Sequence, residues 1–111
     1  MAELPQELSA AQLAELLSQG DVQLVDVREP YEHEAGRIAG DVHIELEHLP
    51  AEAASLDRER TIVFYCRTGS RSALATDAFA ASGYDAHNLA GGLKAWVEGG
   101  LPIEPADGRV A

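Results

Sequence analysis

The sequence predicts a single α/β domain built on a mostly parallel β-sheet. Short β-favouring runs alternate along the chain with segments whose apolar residues have helical spacing. The run Thr61–Tyr65 (TIVFY) is apolar or β-favouring at every position, which is typical of a strand covered on both faces. A length of 111 residues is enough for one hydrophobic core and short for two domains.

Local signals predict the elements of the N-terminal half. Ser9 and Gln12 form a potential capping box, and leucines at helical spacing follow, so a first helix is expected to end near Gly20. The run at residues 22–27 (VQLVDV) favours a strand. The other expected elements are a short helix over residues 30–34 that begins with Pro30 and is ended by Gly36, a weaker strand at 42–44, and a helix over 46–56.

The C-terminal half continues the alternation. Helix formers extend over residues 72–82, and Gly83 follows as a potential stop. A short strand is expected at residues 86–89. The last helix carries Trp96, which we expect in the core, and ends at a pair of glycines.

The expected domain comprises residues 7–104. The ends, residues 1–6 and 105–111, are polar or contain proline and glycine, and we expect them to fray. No long apolar stripe is left without a predicted core position, so we expect a monomer. No apolar run approaches the ~20 residues of a membrane span, and no secretory signal is visible, so a cytoplasmic location is expected.

Composition limits the partners and metals of this domain. Nineteen acidic residues against eight basic ones give a net charge of −11, which repels phosphate backbones and anionic lipids. We therefore expect neither nucleic acid nor a membrane as a partner. Cys66 is the one cysteine, so the chain has no partner for an internal disulfide and cannot build a thiolate zinc site. The histidines lack metal-ligand spacing, so no metal is expected.

The loop after the predicted central strand carries the strongest sign of chemistry. It starts at Cys66 and passes directly into a helix, so a thiolate there would face loop N–H groups and a helix N-terminus, both partly positive. A helix terminus supplies up to ~2 kcal/mol, about 1.5 pKa units. Arg67 and Arg71 are expected to lower the thiol pKa further and to receive an anionic substrate. The N–H groups expected to surround the sulfur are those of Thr68, Gly69, Ser70, Arg71 and Ser72.

Two structural alternatives accompany these assignments. A lone cysteine at the end of an apolar strand is usually a small core residue, but the glycine, the two arginines and the abrupt helix start favour a nucleophile. Asp26 and Arg28 lie at a predicted strand end near the loop. They either support the loop or form a structural ion pair and helix cap, and the second interpretation is favoured because ion pairs are common in such turns.

Three stretches of the sequence match the pattern of a known family. VDVREPYEHEAGRIAGDVHIEL contains a strand that ends in Asp-x-Arg-Glu, followed by a Gly-x-Ile-x-Gly turn. YCRTGSRS has the cysteine of an active loop followed by arginine, and NLAGGLKAWVEGGLPI has a Gly-Gly pair before a helix with tryptophan. In this order, over about residues 10–104, they resemble the rhodanese family of sulfurtransferases in its single-domain bacterial form.

The resemblance implies a rhodanese-like three-layer sandwich, in which about five mostly parallel strands have helices on both faces. It implies that Cys66 takes sulfur from a small anionic donor such as thiosulfate and holds it as a persulfide within residues 67–72. The sulfur then passes to cyanide in an assay, or to a thiol or protein acceptor in the cell. It implies no metal and no organic cofactor. The alternative is a sulfur-relay module that accepts persulfide from a partner and acts poorly on thiosulfate.

The first stretch departs from the family pattern in ways that bear on the partner more than on the chemistry. The departures are at Arg37, Ala39, Asp41 and Glu45, where the family commonly has His, Pro, Ala and Pro. Cysteine phosphatases of this fold resemble a His-Cys-x5-Arg pattern. Here Arg71 is the fifth residue after Cys66, so the loop is one residue shorter and suits a sulfur atom better than a tetrahedral phosphate. A phosphatase-like or arsenate-reducing enzyme rests on analogy of fold alone.

Overall fold

A five-stranded parallel sheet forms the middle layer of the computed structural model, which describes residues 4–111. Its strands are β1 (Glu7–Leu8), β2 (Val22–Asp26), β3 (Val42–His43), β4 (Thr61–Tyr65) and β5 (Ala86–Leu89). They lie side by side in the order β1-β5-β4-β2-β3, and each neighbouring pair is parallel. The strand β4 is therefore central, and Cys66 follows it at the middle of the carboxyl edge of the sheet.

Helices cover both faces of this sheet. They are α1 (Ala10–Gln19), α2 (Pro30–Ala35), α3 (Leu49–Glu52), α4 (Ser70–Ala81) and α5 (Gly92–Glu98). Alternate residues of β4 enter two different core clusters. Phe64 packs in a cluster with residues of α3 and α4, whereas Val63 packs in one with residues of α1 and α5, among them the buried Trp96. The expected three-layer α/β architecture is confirmed, with β4 buried on both faces.

The first helix begins as its sequence predicts. The Ser9 hydroxyl accepts a hydrogen bond from the Gln12 N–H at 3.1 Å, and the Gln12 side chain accepts one from the Ser9 N–H at 2.8 Å. This reciprocal pair satisfies two of the N–H groups that a helix start leaves without partners. Gly20 follows the helix in the left-handed conformation.

Three elements differ from the expectation. The two-residue strand β1 is not among the strands that the residue pattern indicates, because two residues are too few for a recognisable alternation. The expected helix over 46–56 consists of α3 between two 3₁₀ turns, Leu46–His48 and Ala53–Ser55. Pro50 lacks the N–H that would continue a helix from residue 46, so it stands in the first turn of α3 instead. The helix α4 starts two residues earlier than expected, at Ser70.

The ends of the chain make defined contacts with the domain. The Asn88 N–H donates to Gln6 O at 2.8 Å, and the Arg109 N–H donates to Ala35 O at 2.8 Å. Residues 1–3, part of the expected frayed N-terminus, lie outside the described residues. The bond from Arg109 shows that the C-terminal segment, residues 105–111, returns to the domain in the structure. Fraying of this segment in solution stays a prediction. Within the described range, no helix is both long and apolar enough to cross a bilayer.

Candidate active site

The Cys66 thiol lies in a pocket of hydrogen-bond donors at the end of β4. The residue is 1% exposed, and its side chain belongs to the core cluster that contains Phe64 and Ala75. Its Sγ accepts hydrogen bonds from the Gly69 N–H at 3.1 Å and from the Ser72 hydroxyl at 3.3 Å. The sulfur is thus buried, but the atom itself contacts polar groups of the loop.

These donors change the ionisation of the thiol. Burial raises the pKa of the Cys66 thiol, because a charged group loses solvation in the interior. Hydrogen bonds from the Ser72 side chain and from the N–H groups of Ser72, Gly69 and Thr68 act in the opposite direction and outweigh burial. The net pKa lies below the ordinary thiol value, so a larger fraction is thiolate at neutral pH.

The helix α5 holds the loop in the orientation that the sulfur needs. The N–H groups of Leu93 and Lys94 donate to the carbonyl oxygens of Cys66 and Arg67, at 2.9 and 3.0 Å. The N–H and C=O of one peptide unit point in opposite directions. Fixing the Arg67 carbonyl on α5 therefore turns the Thr68 N–H toward the other side, where the sulfur lies.

This close approach requires glycine at the start of α5. Gly91 and Gly92 have φ of +76° and +63°, in the left-handed region that favours glycine. A Cβ on Gly92 would lie 2.5 Å from Arg67 O and 2.6 Å from Cys66 O, which is closer than atoms can approach. Gly92 therefore lets α5 approach the active loop directly, a role that the sequence pattern does not reveal.

Asn88 is a second supporting residue that the sequence reasoning missed. Its Nδ2 donates to Gly69 O at 3.1 Å and to the Glu7 carboxylate at 3.0 Å. The first bond fixes the Gly69–Ser70 peptide from behind the loop, and the second joins the loop to β1. The signal in the sequence is a polar side chain within the short predicted strand at residues 86–89. The structure buries all four positions of this strand, so the side chain needs partners there.

The two arginines of the loop have different partners. Both terminal nitrogens of Arg71 donate to the Glu32 carboxylate, at 2.7 and 2.8 Å, and Glu32 is 3% exposed. The hydrogen bond from Arg71 is the largest cause that lowers the Glu32 pKa, and the same bond raises the pKa of Arg71. Arg67 is exposed, and its Nε donates to Ala111 O at 3.1 Å. Thr68 and Ser70, the other exposed residues of the loop, lie at its surface.

Asp26 and Arg28 form a buried ion pair beside the loop. The Arg28 guanidinium donates to both Asp26 oxygens at 2.8 Å and to Gly36 O at 2.7 Å, and both side chains are fully buried. Within residues 4–111 no hydrogen bond joins either side chain to residues 66–72. The contacts fit a structural pair that ties the end of β2 to the end of α2.

Asp26 also belongs to a group that contains potential metal ligands. One ligand atom each of Asp26, His33 and Asp41 lies within 4.8 Å of the others, a grouping that histidine spacing does not predict. The Asp26 carboxylate already accepts from Arg28 with both oxygens, and His33 Nδ1 lies 2.9 Å from one of them. A metal ion would have to displace a buried guanidinium, so we assign this group to structural support.

Comparison with known proteins places the chain in a family. The pattern of the family described as Rhodanese-like domain matches residues 9–99. The chain belongs to this rhodanese family. A sulfurtransferase of Allochromatium vinosum is 37% identical over 89 residues, which cover 79% of this chain and 83% of that protein. The thiosulfate sulfurtransferase GlpE of Pseudomonas paraeruginosa is 30% identical over 99 residues, which cover 88% of this chain and 86% of that protein.

Solved structures agree with this assignment. The crystal structure of a rhodanese-related protein from Thermoplasma volcanium matches with a TM-score of 0.83 at 30% identity, and the match covers 89% of this chain and 97% of that one. The rhodanese-like fold expected from the sequence is therefore confirmed. Sulfur transfer is the general activity that the family and its sulfurtransferase relatives support.

Proposed function

We propose that this rhodanese-like domain transfers a sulfane sulfur through a persulfide on Cys66. The observation that carries the proposal is the Sγ of Cys66, which accepts hydrogen bonds from the Gly69 N–H and the Ser72 hydroxyl at 3.1 and 3.3 Å. A sulfur anion is the nucleophile that this arrangement favours. The same donors would stabilise the anionic end of a persulfide.

In the first step the Cys66 thiolate attacks the outer sulfur of the donor. With thiosulfate as donor, a bond forms between Sγ and the sulfane sulfur, and the bond between the two donor sulfurs breaks. The electron pair of that bond leaves with sulfite, and Cys66 carries the persulfide anion. No proton is transferred and no oxidant is consumed.

In the second step an acceptor removes the sulfur. A thiolate attacks the terminal sulfur, the bond from that sulfur to Sγ breaks, and Cys66 returns as a thiolate while the acceptor becomes a persulfide. Cyanide reacts in the same way and gives thiocyanate. Since one product leaves before the acceptor binds, ping-pong kinetics are expected. We expect no metal or organic cofactor in either step.

A sulfur-relay module is the second candidate, and one contact favours it. Arg71, one of the two loop arginines expected to receive an anionic donor, is closed in an ion pair with the buried Glu32. A relay would accept persulfide from a protein or small thiol and turn over thiosulfate slowly. In either case we propose a monomer in the reducing cytoplasm, where a free thiol persists.

The test combines turnover with direct detection of the intermediate. Incubation with thiosulfate and cyanide should give thiocyanate, and Cys66→Ala should give none above background. Intact-protein mass spectrometry after exposure to thiosulfate or glutathione persulfide should show one added sulfur atom on wild type and none on Cys66→Ala. Loading by the persulfide without thiosulfate turnover would select the relay. Failure of wild type to load sulfur from either donor would refute both candidates.

A further inference from the structure

The Glu32–Arg71 ion pair neutralises one of the two arginines of the active loop. The guanidinium and the carboxylate meet through two parallel hydrogen bonds of 2.7 and 2.8 Å, the geometry in which this pair is strongest. The pair as a whole is neutral. Arg71 is the fifth residue after Cys66 and lies in the first turn of α4, and, besides the hydrogen bond to Glu32, the negative charge of the thiolate is one of the causes that raise its pKa.

Glu32 is fixed in place and is not a mobile surface carboxylate. It is 3% exposed, and its Oε1 also accepts a hydrogen bond from the Glu29 N–H at 3.1 Å as part of the capping box of α2. Release of Arg71 to a substrate would therefore leave a buried carboxylate without its cation, which is costly. The first turn of α2 thus fixes Glu32 in the position where it pairs with Arg71.

The surface beside Arg71 carries further negative charge. A cavity of about 420 Å³ adjoins the guanidinium. Its lining consists of Val27, Glu29, Glu45, Leu46, Glu47 and Arg71. Three carboxylates against one already neutralised guanidinium give this cavity a negative potential, in a protein whose net charge is −11.

We propose that Glu32 determines the donor class of this site: it selects against dianionic donors such as thiosulfate and in favour of persulfides carried on neutral or cationic molecules. The inference rests on the proposed sulfur transfer through Cys66 and adds the identity of the donor. Both donors deliver the same sulfur atom by the same displacement. They differ in the charge that must approach Arg71.

The experiment compares two small donors of different net charge. The quantity is the ratio of kcat/KM for thiosulfate to kcat/KM for cysteamine persulfide, which carries an ammonium group. Glu32→Gln keeps the shape of the side chain, removes its charge and frees Arg71, so we expect the ratio to rise about tenfold or more. Glu34→Gln is the matched control, since Glu34 is an exposed carboxylate on the same helix. Its ratio should change less than about threefold, because exposed charges are screened.

A measurement on wild type keeps the proposal testable if Glu32→Gln does not fold. With a repulsive cavity beside Arg71, kcat/KM for thiosulfate rises with ionic strength, while that for cysteamine persulfide, whose ammonium and persulfide charges cancel, changes little. A thiosulfate rate that falls with salt, or an unchanged donor ratio in a folded Glu32→Gln, would overturn the inference. Mass spectrometry separates this outcome from failure of the proposed function. Sulfur on Cys66 with an unchanged ratio refutes the donor selection alone, and no sulfur from either donor refutes both.

Discussion

Gly92→Ala tests whether α5 orients the active loop. The new Cβ would lie 2.5 Å from Arg67 O, at a backbone φ of +63° that L-residues rarely adopt. The left-handed conformation costs about 1–2 kcal/mol, and the overpacking costs about 1–3 kcal/mol more. We expect urea denaturation to show that the free energy of unfolding falls by about 2–5 kcal/mol. If α5 moves away to relieve the contact, the carbonyls of Cys66 and Arg67 lose their partners and the thiol pKa rises.

Gly20→Ala is the matched control for this substitution. Gly20 has a φ of +79°, but a Cβ there would meet no atom within 4 Å, so the variant incurs the conformational cost alone. The second assay is the rate of alkylation by iodoacetamide as a function of pH, whose midpoint reports the Cys66 pKa. Equal losses of stability in the two variants, together with an alkylation midpoint that Gly92→Ala leaves unchanged, would refute the role assigned to α5.

Three further substitutions address the thiol, the core and the ion pair. Ser72→Ala removes the hydroxyl that donates to Sγ, so the alkylation midpoint should rise by about 1–2 pH units, whereas the exposed Ser70→Ala should leave it in place. Tyr65→Phe removes a buried hydroxyl that donates to Asp41 at 2.6 Å and accepts from the Ile38 N–H at 3.1 Å. Urea denaturation should therefore show a free energy of unfolding lower by about 1–3 kcal/mol. The control Tyr31→Phe, at an exposed position, should leave it almost unchanged. The folded state lowers the Glu32 pKa, so the Glu32–Arg71 pair stabilises the protein above the ordinary value of 4.5 and loses this effect as pH falls through the lower folded value. In a plot of the free energy of unfolding against pH, Glu32→Gln should therefore reduce the slope on the acid side more than Glu34→Gln does. Identical curves for the two variants would contradict a stabilising role of the Glu32–Arg71 pair.

The parts of the fold that the sequence predicts depend on neighbours in the chain. The apolar run of β4 indicates its burial on both faces, and the position of Cys66 at its end follows from the same run. The capping box at Ser9 involves residues three apart. Each of these features is determined within a few residues, so a single sequence contains the information needed.

The supporting contacts of the site depend instead on the order of strands. Glu32 meets Arg71 because β2 lies beside β4 and is followed by α2. Asn88 meets Gly69 because β5 lies on the other side of β4. Residue spacing does not encode which strands are neighbours. The resemblance to the rhodanese family implies the fold, but the partners of these side chains emerge only from the assembled sheet.

The assembled site also changes the physical account of the thiolate. The residue pattern suggests that two arginines help to hold the negative charge of Cys66. The structure directs Arg67 to Ala111 O and Arg71 to Glu32, while the contacts on Sγ come from uncharged donors at 3.1 and 3.3 Å. The hydrogen bonds to the sulfur thus come from uncharged groups and not from the arginines. We therefore expect ionisation of Cys66 and choice of donor to be separable properties of this loop: the first depends on the donors to Sγ, and the second on the role proposed for Glu32.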